Sequence, residues 1–329
     1  MMRLPRFRYA APRTVAEAAA VLADLGPDAA PLAGGTDLLP NMKRRQQTPS
    51  TVVGLRGVAG LHASSGDAAR GVTLGAMTRL AQVERDRALS TAWPALSRAA
   101  SLVATPPLRN MGTLGGNLCL DTRCGYYDQS HAWREAIGFC LKKDGDTCWV
   151  APGSSRCWAV SSSDTAPVLC ALGAEVSLVS RDGERRIPVA ALFADDGVRH
   201  LARRPGELLT AIHLPPPAPG QRQGYQKLRR RGSFDFPAAA VAVSARLGTG
   251  GVVESARVFL GGLGSAPQEA TEAAAFLAGR RLGDEDVVRE AARLAAAIAR
   301  PLQTSDFSPG LRKHAARELA ARALRELAR

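Results

Sequence analysis

Long apolar runs are missing from this 329-residue chain: no stretch reaches the ~18 uninterrupted hydrophobic residues that a membrane span needs. Arg13 and Glu17 break the alanine-rich start where a signal peptide would keep its apolar centre. A cytoplasmic protein without a membrane partner is therefore expected. Aromatic residues make up only 5% of the chain. With no zinc-finger spacing and no RNP-like segment either, nothing points to specific nucleic-acid binding. Histidine is scarce: His62, His131, His200, His213 and His314 have no metal-like spacing and are expected to be surface or structural residues. No Ser-His-Asp order or carboxylate pair stands out, so no acid–base catalyst is assigned. A G-x-G-x-x-G turn is also absent, which argues against nicotinamide held in the usual βαβ manner.

What is present fits a globular chain of about two domains at ~150 residues each, 46% hydrophobic and 22% charged. The formal charge is +13, and the excess is uneven: residues 1–60 hold eight bases against four acids, and residues 203–235 hold seven against two. Such runs suit a solvated surface, a nucleotide phosphate or a partner subunit. All six cysteines, at 119, 124, 140, 148, 157 and 170, fall within 52 residues. A disulfide framework belongs to short secreted chains, so metal ligation is the better account of the clustering. Zinc sites draw on pairs two to four residues apart, whereas the gaps here are 5, 16, 8, 9 and 13. Iron–sulfur ligation tolerates wider spacing; zinc and unrelated buried thiols stay open as alternatives. Trp133, Trp149 and Trp158 lie among these cysteines, placed to exclude water.

Thr14-Val15-Ala16-Glu17 predicts a capping box opening a helix that runs to Leu25 and stops at Gly26. A short strand and a glycine turn over residues 31–37 follow. Strands are expected at 51–55, 72–74, 174–179 and 208–214, and a mostly helical stretch at 80–104. Pro215 to Gly220 reads as a stiff linker. It divides the chain into domains at 1–217 and 222–329. Beyond it, strands at 238–245 and 252–260 precede three alanine-rich helices near 267–278, 284–300 and 310–328. Residues 121–161 are polar, aperiodic and charge-balanced, the mark of a functional or disordered segment.

Two glycine-rich segments carry the chemistry. Ala33-Gly34-Gly35-Thr36-Asp37 follows an apolar strand, and paired glycines let successive N–H groups approach a phosphate oxygen. Arg109-Asn110-Met111-Gly112-Thr113-Leu114-Gly115-Gly116-Asn117 adds hydroxyl and amide donors. Together they make a dinucleotide cradle credible where either alone would be an ordinary turn. The pair, extended through Leu38-Leu39-Pro40-Asn41-Met42-Lys43 and Leu118, resembles the two flavin-binding signatures of the FAD-carrying medium subunit of the molybdenum hydroxylase family. Ser163-Asp164-Thr165-Ala166-Pro167, Tyr225-Gln226-Lys227 and Phe234-Asp235-Phe236-Pro237 resemble later landmarks, so the likeness covers nearly the whole chain. It implies an α+β fold, with a two-part FAD-binding domain of the vanillyl-alcohol-oxidase/PCMH type followed by a C-terminal domain of antiparallel sheet plus helices.

The same resemblance implies FAD contacts from Ala33, Gly34, Gly35, Thr36, Asp37 and Leu39 on one side, and from Asn110, Thr113, Gly115, Gly116 and Asn117 on the other. It places Asp164 at ribose or adenine-side hydroxyls and Lys227 near the flavin; a solvated base is the alternative for Lys227. Tyr225 and Tyr126 are as well suited to packing as to cofactor contact. Residues 121–161 form an insertion, and it resembles the one found in the 4-hydroxybenzoyl-CoA-reducing branch of the family. That likeness implies a 4Fe-4S cluster on Cys124, Cys140, Cys148 and Cys157, with Cys119 and Cys170 as buried thiols. It also implies a small subunit with 2Fe-2S clusters, a large molybdenum-pterin subunit, assembly as a dimer of heterotrimers and a ferredoxin donor. Two further readings remain: an oxidative hydroxylase of another substrate, and a zinc-stabilised binding module.

Overall fold

The computed structural model describes residues 2–329. Helix Val15–Leu25 forms where expected. Thr14 Oγ1 accepts from Glu17 N at 3.1 Å, whereas the Glu17 carboxylate reaches Arg13 N at 2.7 Å. The helix packs on a small parallel sheet of β1 (Arg8–Ala10), β2 (Ala29–Leu32) and β3 (Thr51–Gly54), ordered β1-β3-β2. This sheet ends at the first glycine turn. A second, antiparallel sheet contains β4 (Ser64–Asp67), β5 (Gly71–Gly75), β6 (Glu175–Ser180), β7 (Gly183–Pro188) and β8 (Leu208–Leu214), in the order β4-β5-β8-β6-β7.

The expected helical stretch at 80–104 is three short helices, Leu80–Arg85, Arg87–Ala92 and Pro94–Ser101. Asp86 breaks the first by capping the second, its Oδ1 accepting from Ala88 N and Leu89 N at 2.8 and 3.0 Å. Pro94 breaks the second, since it lacks the N–H needed to continue a helix. No helix is long and apolar enough to cross a membrane among the described residues.

The chain then forms β9 (Gln221–Leu228), β10 (Ala239–Leu247), β11 (Val253–Gly261) and β12 (Gln268–Glu269), an antiparallel sheet ordered β12-β11-β10-β9. The three C-terminal helices occupy Thr271–Leu277, Glu285–Ala297 and Pro309–Ala328. Alternation along β10 divides its residues between two cores. Ala239, Val241, Val243 and Ala245 face the helices. Ala240 and Ala242 instead join Tyr225, Phe259 and the core of the N-terminal unit.

Candidate functional site

The two glycine segments meet. A Cβ added to Gly34 would stand 2.0 Å from Met111 O, so only glycine lets the first turn lie against the second. Gly115 is as confined, its added Cβ falling 2.7 Å from Ala76 Cβ. Thr113 caps the short helix Leu114–Leu118, its Oγ1 accepting from Gly116 N at 3.1 Å. Between the segments runs a cavity of about 1020 Å³, walled by Ala33, Gly34, Gly35, Thr36 and Asp37 on one side and by Thr113, Gly115, Gly116 and Asn117 on the other. The N–H groups of Gly34, Gly35 and Thr36 meet no backbone acceptor among the described residues. Arg44, Arg123, Arg203 and His200 also line the cavity, and each keeps a buried ring or guanidinium nitrogen without a partner. Orphaned donors at a cleft of this size suit a long anionic ligand, and a dinucleotide fits.

Three expected contacts are placed otherwise. Leu39 lies beneath the turn, its Cδ1 3.2 Å from where a Gly35 Cβ would be, and does not line the cavity. Asn110 is exposed outside it. Lys227 is buried away from it, and its Nζ donates to Asp164 Oδ2 at 2.9 Å and Leu102 O at 3.1 Å. Asp164 does reach the cavity wall, but Tyr225 OH donates to its other oxygen at 2.7 Å, so the carboxylate is already engaged within the protein. Burial pushes Asp164 above the usual carboxylate range and Lys227 below the usual ammonium range. Asn117 Oδ1 accepts from Ser163 Oγ, Thr165 Oγ1 and Thr165 N, which fixes the start of helix Thr165–Ala171 beside the cavity.

Lys227→Met strands the Asp164 charge in the interior. We expect it to cost about 3–5 kcal/mol, with part regained in Lys227→Met/Asp164→Asn. Chemical denaturation of both variants measures this, and equal stabilities would discount the pair.

The insertion forms one wall of the cavity, through Asp121, Arg123, Asp128 and Lys143. Arg123 pairs with Asp37 of the first turn and, at 3.1 Å, with Asp128. Its guanidinium lies 4.8 Å from the Phe236 ring centroid. Gln46 Nε2 donates to Tyr127 O at 2.6 Å, and buried Arg134 donates to the carbonyls of Arg44 and Arg45 at 3.1 and 3.0 Å. Apart from the Arg123–Asp128 pair, none of these ties could be found from local sequence, because each joins positions more than 80 residues apart.

Cys124, Cys140, Cys148 and Cys157 are all free and buried. Cys124, Cys140 and Cys157 share a small core with Tyr127 and Ala159. Burial, with smaller contributions from neighbouring thiols of the group, pushes the Cys124 thiol up to about 12 and Cys157 to about 11. Among the described residues, no three His, Cys, Asp or Glu converge tightly enough for a single metal ion. Two of the tryptophans do not shield these sulfurs: Trp133 and Trp149 are exposed, and apolar cover comes from Tyr126, Leu141 and Val150. Cys170 is a core thiol, but Cys119 is half-buried on the cavity wall. His200, expected at the surface or in a structural role, reaches the same wall.

The profile described as FAD binding domain in molybdopterin dehydrogenase matches residues 5–217, and that of the CO dehydrogenase flavoprotein C-terminal domain matches residues 223–327. The carbon monoxide dehydrogenase medium chain of Afipia carboxidovorans is 33% identical over 296 residues, 90% of this chain and 87% of that one. The aldehyde oxidoreductase FAD-binding subunit PaoB of Escherichia coli is 34% identical over 276 residues, 79% and 82% of the two chains. The crystal structure of a Cu,Mo-CO dehydrogenase superposes with a TM-score of 0.81 at 30% identity, over 98% of both chains. This chain belongs to the FAD-binding medium-subunit family of the molybdenum hydroxylases, of the carbon monoxide dehydrogenase medium-chain type. The chain binds FAD, and its enzyme is an oxidoreductase.

Proposed function

We propose that this chain is the relay subunit of a molybdenum-family aromatic acyl-CoA reductase, acting on 4-hydroxybenzoyl-CoA in the cytoplasm. In this reading Gly34, Gly35, Thr36, Thr113, Gly115, Gly116 and Asn117 hold FAD, and Cys124, Cys140, Cys148 and Cys157 hold a 4Fe-4S cluster. A small 2Fe-2S subunit and a large molybdenum subunit complete a heterotrimer, two of which form the assembly, with a ferredoxin as donor. One 4-hydroxybenzoyl-CoA, two electrons and two protons give benzoyl-CoA and water. When bound, the cluster exchanges one electron at a time and the flavin one or two.

The observation that carries this reading is the set of four buried cysteines in the segment that walls the cavity, three of them sharing one small core. Buried cysteines spaced more widely than the close pairs of zinc sites suit an iron–sulfur centre better than a single zinc. Tyr127 and Ala159 pack with three of these cysteines, while Asp121 and Arg123 of the same segment line the cavity.

A second reading, the FAD subunit of an oxidative hydroxylase, draws support from relatives named as carbon monoxide dehydrogenase and nicotine 6-hydroxylase subunits. The assembled enzyme decides between them. The reductase reading expects about eight irons per heterotrimer rather than about four, and benzoyl-CoA formed from the hydroxylated thioester with a low-potential donor. Four irons and no dehydroxylation would leave the oxidative reading.

A further inference from the structure

One charged pair between the thiols and the cavity has no part in holding FAD or the four sulfurs. Lys142 and Asp121 are buried, with 5% and 9% of their side chains exposed. The Lys142 ammonium spends all three N–H groups, on Asp121 Oδ1 at 2.8 Å, Thr122 Oγ1 at 2.8 Å and Gly197 O at 2.7 Å. It also stands 4.8 Å from the Tyr127 ring centroid. Asp121 in turn accepts from Thr122 N at 2.9 Å, Gln47 Nε2 at 3.1 Å and Tyr127 OH at 3.0 Å. Neither charge is free to reorient.

The two ends of the pair face different neighbours. Gly197 N donates to Cys157 O at 2.8 Å, and a Cβ on Gly197 would stand 2.7 Å from Cys157 Sγ. The ammonium is thus fastened to the residue that touches a ligand sulfur. Asp121 lines the cavity and is bonded to Tyr127, which packs on Cys124, Cys140 and Cys157. A positive charge therefore sits on the sulfur side and a negative one on the flavin side.

We propose that Lys142 is a positioning residue for electron exchange, its fixed charge beside Cys157 favouring the reduced state of a cluster held by the four thiols, with Asp121 opposing it from the cavity side. The inference rests on the cluster reading given above. Cluster potentials follow net charge, hydrogen bonding and solvent exposure, and a charge in a poorly screened interior acts more strongly than one in water. An apolar side chain at 142 would fill the same space without that effect.

The test is an EPR-monitored redox titration of the assembled enzyme, with iron and FAD measured on the same samples. Lys142→Met is expected to lower the ratio of reduced to oxidised cluster about tenfold at a fixed ambient potential. Lys142→Arg restores most of it, and Asp121→Asn raises it. A purely structural role would change iron content or stability but would not give shifts of opposite sign. A fully loaded Lys142→Met enzyme with the wild-type potential overturns the proposal. Should that variant lose its iron, Asp121→Asn decides: a ratio that stays constant or falls overturns it. A wild-type enzyme with no four-iron signal overturns the underlying cluster reading as well, so the two failures are told apart.

Discussion

On the proposed cluster reading, replacing Cys140 by serine is expected to strip most of the iron from this subunit while FAD stays bound. Cys140 lies in a tight turn, with Phe139 and Asp144 at φ values of 61° and 66°. A Cβ on Gly145 would stand 2.7 Å from Cys140 N, so the backbone there has little room to bring a substitute ligand closer. Serine offers a harder and far less acidic donor than a thiol, which a four-sulfur centre accommodates poorly. Cys140 does not line the flavin cavity, and that wall is held independently by Arg123 with Asp37 and by Gln46 with Tyr127. Iron, sulfide and flavin counts on one preparation measure both halves of the expectation. A full four-iron centre in the variant would remove Cys140 from the ligand set, and simultaneous loss of FAD would join the two sites more tightly than their contacts indicate.

Gly34→Val should weaken FAD binding about a hundredfold, equivalent to about 2.7 kcal/mol. The argument is steric. The added Cβ would meet Met111 O at 2.0 Å, and Met111 is backbone of the opposite segment, so relief requires the two walls of the cavity to separate. Gly35 carries a different penalty: its φ of 74° disfavours any side chain, but its neighbours are the flexible ends of Leu39 and Leu32. Gly35→Val should therefore bind FAD better than Gly34→Val. Equilibrium titration of apoprotein with FAD measures the loss, and a melting curve without FAD separates it from the ~1–3 kcal/mol that overpacking alone costs. Normal flavin occupancy in Gly34→Val would reject the close approach of the two turns as the reason for glycine there.

Much of the site was legible because its chemistry is local. Each glycine segment announces itself by residue type, and both turns face one cavity as their order suggests. Three of the four nominated cysteines, Cys124, Cys140 and Cys157, share one small core. What could not be read is the pairing of distant side chains. Lys227 was expected near the flavin or in solvent because nothing local marks Asp164, 63 residues earlier, as its partner. The segment that brings Gly197 to Cys157 and His200 to the cavity has no motif of its own. The fold has the same division. Helix Val15–Leu25 and the helix Pro309–Ala328 follow caps and periodicity. Strands β4 and β7 went unrecognised because they are largely exposed and polar, SSGD and GERRIP, with little apolar alternation to find. β10 was legible as a strand, but its unbroken apolar run concealed that it serves two cores at once.

That double duty changes what the proline-rich connection means. Trp93 Nε1 donates to Pro215 O at 3.1 Å, and Ala218 N donates to Gln221 Oε1 at 2.8 Å, so the connection is fastened at both ends. With Tyr225, Phe259 and the inner face of β10 sunk into the other unit, the covalent link contributes little to keeping the halves together. A protease cutting between 215 and 220 would yield two fragments on a denaturing gel that still elute as one species, and that species should keep its yellow colour.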